Sequence, residues 1–240
     1  MQLPGKTALV TGGTDGIGAQ LIRQLRERGV SVITSGRNPE RVAATRADGF
    51  EVIEADLSRP AGVDALLAGL GDRPIDILVN NAGAGVDHDF RVAAPDLAAS
   101  DATVHLNLTA PIHLINRLMP GLRGRPEALV VNVTSGLAIA PRGGGPVYCA
   151  TKAALRSYTQ ALRFQFKDTG VHFLEVLPPV VETKMTAGRG SKKMPASECA
   201  RQMLAAMERG ADEASVGQTK LLQLVHSISP ALARRIMLRF

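Results

Sequence analysis

Residues 7–18 read TALVTGGTDGIG, an apolar run followed by a glycine-rich turn. The run from Thr7 to Thr11 is typical of a buried strand, and a helical stripe of apolar residues starts at Ile17. Glycine lets the backbone turn sharply and lets a pyrophosphate reach the free amides at a helix N-terminus. Strand, glycine turn and helix follow in the order of a dinucleotide-binding unit, although glycines alone also fit a simple tight turn. The residues expected to contact a nucleotide are Gly12, Thr14, Asp15, Gly16, Ile17 and Gly18.

Five further apolar runs follow along the chain and alternate with stretches of helical periodicity. This alternation is the pattern of repeated β-α-β units and of a mostly parallel sheet. Strands that are apolar throughout are expected where helices cover both faces of the sheet. The five runs are Val30 to Ser35, Glu51 to Ala55, Ile75 to Asn80, Ala128 to Thr134 and Val171 to Leu177. We therefore predict a Rossmann-type, doubly wound α/β fold of six to seven mostly parallel strands, with long helices at about 96–119 and 146–168.

The chain length and the run of elements predict one domain over residues 1–240. From residue 182 the sequence becomes polar and loses its apolar period, so we predict a substrate lid at about 182–210. Residues 230–240 form a short terminal helix in this prediction, introduced by Ser229 and Pro230. A helix of this length is marginal in isolation and must dock on something. A subunit contact or a cover over the active site is favoured, and a weak membrane anchor is the alternative.

The composition argues against several classes of protein. Aromatic residues make up 3% of the chain and the cations are scattered, so we predict no nucleic-acid partner despite the net charge of +6. No apolar run approaches the roughly 20 residues that cross a bilayer, and we expect neither a membrane span nor a signal peptide. Two cysteines suggest free thiols and a cytoplasmic location. The five histidines lack ligand spacing, so no metal site is predicted.

The end of the second strand bears on the choice of nucleotide. Residues 34–38 read TSGRN, without an acidic side chain, and Arg37 lies nineteen residues after Gly18. A carboxylate at this place binds the ribose hydroxyls of NAD, whereas an arginine suits the 2′-phosphate of NADP. We therefore predict that NADP(H) is favoured over NAD(H). A solvated loop charge is the alternative for Arg37, and the carboxylate of Asp15 does not favour a phosphate.

Further candidates for nucleotide contact follow the third and fourth strands. Asp56 and Leu57 are placed to contact the adenine, although an aspartate here also suits the capping of a turn. The fourth strand ends in NNAG at residues 80–83. Its last three residues, Asn81, Ala82 and Gly83, are expected to line the nucleotide crevice, and asparagine and glycine are also ordinary turn formers.

A tyrosine and a lysine lie four residues apart within the predicted helix 146–168. Tyr148 and Lys152 therefore share one helix face. A positive charge beside a phenol stabilises the phenolate and lowers the phenol's pKa toward the working range of a general acid or base. The pair alone could equally be a surface tyrosine and lysine. Ser135, however, follows the strand Ala128 to Thr134 at the carboxyl edge of the sheet, where ligands bind in this architecture.

At this point the chain resembles the short-chain dehydrogenase/reductase family, over roughly Lys6 to Val181, and in particular members that prefer NADP. The spacing is 28 residues from Asn107 to Ser135 and 13 from Ser135 to Tyr148. The shared features, in chain order, are the TGxxxGxG loop, Asp56, the NNAG segment, Asn107, Ser135, Tyr148 and the YxxxK lysine Lys152.

The resemblance implies a catalytic tetrad of Asn107, Ser135, Tyr148 and Lys152. It implies that Tyr148 exchanges the proton and that Ser135 holds the substrate oxygen. Lys152 would bind the nicotinamide ribose and tune Tyr148, so both also count as cofactor contacts. Asn107 would support a water path from Lys152, and a solvent-facing helix asparagine is its alternative. The nicotinamide carries the hydride, and the protein supplies position and electrostatics.

The chain departs from the family after the sixth strand. The family usually has proline and glycine there, then a threonine that reaches the nicotinamide amide, whereas residues 178–183 here read PPVVET. Pro178, Val181 and Thr183 are expected to contact the cofactor, but Pro179 stiffens the turn and weakens the case for the latter two. The segment around Arg37 after the second strand, and the tail after residue 217, also resemble those of bacterial members associated with the modification of cell-wall teichoic acid.

We expect an NADP(H)-dependent oxidoreductase that moves a hydride between nicotinamide and a carbonyl or secondary alcohol, mainly toward reduction. The alternatives are a catalytically silent nucleotide-binding regulator and an epimerase or dehydratase on the same fold. Lys184, Arg189, Lys192 and Lys193 in the lid indicate a small-molecule substrate that is anionic or bound to a carrier. We expect the chain to assemble as a homodimer or homotetramer.

Overall fold

The structure, a computed structural model, describes residues 1–94, 96–188 and 192–239. Two predicted features fall partly outside this range. Arg189 of the lid and Phe240 of the terminal helix both lie outside the described residues.

Seven strands form a single sheet in the order β3-β2-β1-β4-β5-β6-β7, and every neighbouring pair is parallel. The predicted Rossmann-type α/β fold is confirmed. The last strand was not predicted because it has only three residues and no apolar run. The strands are β1 Thr7–Val10, β2 Ser31–Gly36, β3 Glu51–Glu54, β4 Ile77–Asn80, β5 Ala128–Val133, β6 Val171–Leu177 and β7 Glu213–Ser215.

Helices cover both faces of this sheet. They are α1 Gly16–Glu27, α2 Pro39–Ala47, α3 Pro60–Leu70, α4 Leu97–Val104, α5 Ala110–Arg123, α6 Pro146–Gln165, α7 Ala196–Arg209, α8 Thr219–Ile228 and α9 Pro230–Met237. Within the described ranges, no helix is long and apolar enough to cross a bilayer.

Two hydrophobic cores lie on opposite faces of the sheet, and the strands supply them by alternation. In β4, Ile77 and Val79 belong to one core while Leu78 belongs to the other. Successive strand side chains point to opposite faces, so an unbroken apolar run feeds both layers. The first core includes α1 and α7, and the second includes α3 and α5.

The predicted lid range divides into two parts. Residues 196–209 form α7, which packs on α1 and buries Cys199, Met203 and Met207. The apolar residues of α7 recur at helical spacing. The polar stretch before α7 lacks this period, which made the start of the helix hard to recognise in the sequence. The part before α7 is held at its two ends by two backbone hydrogen bonds. Glu182 N donates to Met194 O at 2.8 Å, and Met194 N donates to Val180 O at 3.0 Å.

The predicted long helix at about 96–119 is interrupted. A turn of π-helix at His105–Thr109 joins α4 to α5, which extends to Arg123. A π turn adds one residue to the helical repeat, which leaves no signature in the apolar periodicity, and such turns are frequent at functional sites. Asn107 lies in this turn and is completely buried.

Candidate active site

A cleft opens at the carboxyl ends of the strands, where β1 pairs with both β2 and β4. Every residue predicted to contact the cofactor lines this cleft. From the N-terminal half these are Gly12, Thr14, Asp15, Gly16, Ile17, Gly18, Arg37, Asp56, Leu57, Asn81, Ala82 and Gly83. From the C-terminal half they are Tyr148, Lys152, Pro178, Val181 and Thr183, with Ser135 beside them.

The glycine loop is packed too tightly for side chains. Gly12 has a φ of +69°, and a Cβ added there would lie 2.9 Å from the Cα of Ala82. A Cβ on Gly18 would lie 2.3 Å from the carbonyl oxygen of Gly12. Both distances are below van der Waals contact, so glycine is required here for close backbone packing as well as for turning.

Asn81, the first residue of the loop after β4, stabilises the glycine loop. Its Nδ2 donates to the carbonyl oxygens of Thr11 at 2.9 Å and Gly12 at 3.3 Å. In return, the Thr11 hydroxyl accepts from the backbone amides of Asn81 and Ala82, each at 3.0 Å. The visible role of Asn81 is therefore to join the loop after β1 to the loop after β4.

Two arginine–aspartate pairs lie at the end of the cleft next to β2. Arg37 Nη1 is 3.2 Å from Asp56 Oδ1, and Arg41 Nη1 is 2.7 Å from Asp15 Oδ2. The Ser58 hydrogen bonds and the charge of Arg37 hold the pKa of Asp56 below its usual range, against the opposing effect of burial. Each carboxylate is thus paired with a cation. The negative charge of Asp15, which would oppose the binding of a phosphate, is offset by Arg41.

Arg41 is a cleft residue that the sequence reasoning missed. It lies in the first turn of α2, and its backbone amide donates to the side chain of Asn38, which caps that helix. Its spacing of four residues from Arg37 is a signal that could have been read, because a helix starting at Pro39 turns Arg41 back toward the strand end. Ser35, Thr134, Met185 and Thr186 were also missed, as strand-end and lid residues without a distinctive pattern.

Lys152 is buried next to Tyr148 on α6. Its Nζ donates to the carbonyl oxygen of Val133 at 2.8 Å and lies 5.8 Å from the centroid of the Tyr148 ring. The residue is buried at the wall of the cleft, and burial lowers the pKa of Lys152 from 10.5 to about 8. The predicted proximity of the two residues is present in the structure, and the ammonium is held by the end of strand β5.

The loop after β4 passes directly over these two residues. A Cβ on Gly83 would lie 3.5 Å from Lys152 Nζ and 3.3 Å from Asn107 Oδ1. A Cβ on Gly85 would lie 3.2 Å from Cδ2 of the Tyr148 ring. The small residues of this loop therefore let the backbone pack against the lysine and the phenol ring.

Asn107 holds the same loop in place. Its Oδ1 accepts from Ala84 N at 3.0 Å, and its Nδ2 donates to Ala84 O at 2.8 Å and to Thr151 Oγ1 at 3.1 Å. A buried side-chain amide with all these bonds satisfied stabilises its surroundings. Asn107 thus connects the loop after β4 to helix α6, one residue before Lys152.

Ser135 follows β5 and caps a short 3-10 turn at Gly136–Ala138. Its Oγ accepts from Leu137 N at 3.1 Å, and the residue is largely buried at the cleft. Because the bond to Leu137 uses the oxygen as an acceptor, the hydroxyl hydrogen remains able to donate to a ligand oxygen.

The segment after β6 reaches the cleft despite its second proline. Val181 and Thr183 both line it, and a Cβ on Gly16 would lie 3.0 Å from Thr183 Cγ2. The proline in place of glycine has therefore not removed this segment from the nucleotide side of the cleft. In the described part of the chain, no group of three His, Cys, Asp or Glu side chains could hold a metal ion.

Comparison with known proteins places the chain in a family. The family model of the short chain dehydrogenases matches residues 6–194. Among curated proteins, the chain is 40% identical over 187 residues to the uncharacterized oxidoreductase DltE of Bacillus subtilis, covering 76% of this chain and 74% of that protein. It is 35% identical over 199 residues to serine 3-dehydrogenase of Agrobacterium fabrum, covering 80% and 78%.

Among solved structures, a short chain dehydrogenase from Burkholderia cenocepacia in complex with NADP superimposes with a TM-score of 0.88. It is 26% identical to this chain, and the match covers 100% of both chains. The predicted family resemblance is confirmed by these similarities.

The buried ammonium of Lys152 makes a prediction about stability and pH. Between about pH 8 and pH 10.5 the unfolded chain holds a proton on Lys152 that the folded protein has lost, so raising the pH through this window stabilises the folded state. At pH 7 the charged, buried lysine is a cost, and we expect Lys152→Met to be more stable than the parent by roughly 2 kcal/mol.

This difference should shrink as the pH rises from 8 toward 10, measured by urea unfolding of both proteins. Lys167→Met, which replaces an exposed lysine just beyond α6, is the control and should show no pH-dependent difference. A constant gap between Lys152→Met and the parent across this range would contradict a buried charge.

Proposed function

This chain belongs to the short-chain dehydrogenase family, and we propose that it is an NADP(H)-dependent oxidoreductase of carbonyl or secondary alcohol substrates with Tyr148 as general acid or base. As a member of the family it is an NAD(P)-dependent dehydrogenase or reductase. The observation that carries the proposal is the buried ammonium of Lys152, which lies beside Tyr148 in the same cleft as the glycine loop.

The residues around Tyr148 are suited to proton transfer at an oxygen. In reduction, the Tyr148 hydroxyl donates its proton to the carbonyl oxygen of the substrate, and in oxidation the phenolate removes the alcohol proton. Lys152 favours the phenolate because its positive charge is close and poorly screened by water. Ser135 donates a hydrogen bond to the same substrate oxygen and fixes its position. Asn107 acts through the loop and helix that it connects, and we assign it the support of a water path from Lys152.

The cleft fits a dinucleotide by its chemistry. The N-terminus of α1 offers free backbone amides and a partial positive charge to a pyrophosphate, behind glycines that leave room for its approach. When bound, the nicotinamide supplies or accepts the hydride of the reaction. Lys152, Val181 and Thr183 lie on the side of the cleft assigned to the nicotinamide half.

A preference for NADP(H) is supported by Arg37 and Arg41 together. Both guanidinium groups line the cleft, and each is already oriented by a carboxylate partner. A 2′-phosphate carries enough negative charge to bind between two such cations, and arginine suits its geometry. The solved relative from Burkholderia cenocepacia is itself a complex with NADP.

Two other functions were considered from the sequence. A silent nucleotide-binding regulator has no need for a buried lysine beside a tyrosine, since burial of an ammonium destabilises the fold. An epimerase or dehydratase would use the same groups, and it is distinguished by the absence of net cofactor turnover.

We propose that the substrate is a small molecule that is either anionic or bound to a carrier. Lys184 lines the cleft, whereas Lys193 Nζ donates to Thr186 O at 2.5 Å and so holds the lid backbone. Serine 3-dehydrogenase, a relative, takes by its name a substrate with a carboxylate. We further propose that the whole chain is one domain, that residues 182–195 act as the substrate lid, and that a cytoplasmic homodimer or homotetramer is the working form.

The role of Tyr148 is tested by Tyr148→Phe. Loss of the hydroxyl removes the proton donor, so kcat for NADPH-dependent ketone reduction should fall by about 10²- to 10⁴-fold, measured at 340 nm across ketones and aldehydes. The other tyrosine, Tyr158, also lies on α6 but packs in the second core, and Tyr158→Phe should leave kcat unchanged. Undiminished activity of Tyr148→Phe would refute the assignment.

The cofactor preference is tested by Arg37→Ala and Arg41→Ala. Each variant should raise the KM for NADPH by about 10- to 100-fold, because a hydrogen-bonded charge partner of the phosphate is lost, with little change in the KM for NADH. Arg23→Ala is a matched control, since it also breaks an arginine–aspartate pair, with Asp48 at 3.0 Å, but does not line this cleft. Equal effects on both cofactors would make the two arginines structural only.

The charge of the substrate is tested by Lys184→Ala. This variant should raise the KM for a carboxylated ketone several-fold and leave that for its neutral methyl ester unchanged, because an attractive charge in the cleft is lost. Lys192→Ala, an exposed lysine of the same segment outside the cleft lining, is the control. If the parent turns over both ketones alike and Lys184→Ala changes neither, the anionic substrate is excluded.

A further inference from the structure

The last two helices expose a set of aliphatic side chains. On α8, Leu221, Leu224 and Ile228 are 64%, 57% and 77% exposed, and their spacing of three and four residues puts them on one face. On α9, Leu232 and Ile236 are four residues apart and are 49% and 43% exposed. We call these five side chains the terminal surface.

Other side chains of the same two helices are buried or bonded to the sheet. Thr219 of α8 is buried, and Gln223 bonds to Glu213 and Ser215 of β7. Ala233 of α9 is completely buried. The exposed leucines and isoleucines therefore lie on helices that contact each other and, through α8, strand β7.

The charge of the same region has one sign. From Gly217 to Arg239 the chain contains no aspartate or glutamate. Lys220, Arg234, Arg235 and Arg239 are exposed, and none of them forms an ion pair with the part of the chain that the structure describes.

We propose that the terminal surface is a peripheral docking site for an anionic lipid membrane. These helices carry exposed aliphatic side chains, which suit the acyl boundary of a membrane, and unpaired cations, which suit its negative headgroups. If two copies met through this surface about a twofold axis, the four cations of one copy would approach those of the other. The same segments supply no carboxylate to offset this repulsion. The anchors of protein interfaces are typically aromatic, and the described residues of α8 and α9 contain none.

The helices that carry the terminal surface pack next to the segment after β5. A Cβ on Gly136, next to Ser135, would lie 3.0 Å from Thr219 Oγ1 at the start of α8. A Cβ on Gly143 would lie 3.0 Å from the carbonyl oxygen of Leu238. The two helices therefore contact the segment that joins Ser135 to Tyr148.

The test is co-sedimentation of the full chain with vesicles. We expect binding to vesicles of equal parts phosphatidylglycerol and phosphatidylcholine, and at least tenfold weaker binding to phosphatidylcholine alone. Each cation near an anionic surface contributes about fivefold to binding, so Arg234→Glu with Arg235→Glu should weaken binding by at least tenfold. Leu224→Ser with Ile228→Ser should weaken it as well, because acyl contact is lost.

Matched controls carry the same changes elsewhere. Arg123→Glu with Lys167→Glu reverses two exposed cations outside the terminal helices, and Phe164→Ser removes an 83% exposed apolar side chain. Both should bind as the parent does, and far-UV circular dichroism with thermal unfolding should confirm the fold of every variant. The proposal is overturned if the parent fails to bind anionic vesicles, or if control and test variants lose binding equally. It is also overturned if the leucine and isoleucine changes convert an oligomer to a monomer in light scattering while vesicle binding is absent.

Discussion

The reciprocal hydrogen bonding of Thr11 and Asn81 is the interaction on which the arrangement of the cleft depends. The sheet order reverses at β1, which pairs with β2 on one side and β4 on the other, so the loops that leave β1 and β4 diverge and a crevice opens between them. Thr11 and Asn81 join these two loops at the bottom of the crevice. The glycine loop is thereby fixed on one wall, and the loop that covers Lys152 and Tyr148 on the other.

In the catalytic half of the cleft, a group that the proposed chemistry needs lowers the stability of the fold. Lys152 is enclosed by β5, by the loop after β4 and by its own helix, and burial disfavours its charge. Asn107, through its bonds to Ala84 and Thr151, keeps this enclosure closed. Functional sites commonly retain such unfavourable groups because the surrounding fold is stable enough to hold them. The lysine is a local weakness that the proposed chemistry requires.

Much of the fold could be predicted because its signals are local. The six longer strands lie in short runs rich in apolar and β-branched residues, and the glycine loop combines strand, turn and helix within twelve residues. The candidate site followed from fixed spacings between Asn107, Ser135, Tyr148 and Lys152. What was missed depends on contacts across the chain: β7 is a strand only because it pairs with β6, and α7 is a core helix only because α1 supplies its partner. Arg41 was missed because its relevance depends on the position of Asp15, twenty-six residues earlier.

The backbone bridge between Val181 and Met194 affects how such a protein diversifies. It fixes the two points at which the intervening segment leaves and rejoins the sheet edge. Lengthening a loop whose ends are already fixed changes its closure entropy only slowly, by about 0.6 kcal/mol for each doubling. Insertions, deletions and sequence drift after Thr186, the last cleft-lining residue of this segment, and before Lys193 therefore leave the two cores and the cofactor cleft almost untouched. This segment can therefore change during evolution, and the substrate range with it, while the catalytic residues stay the same.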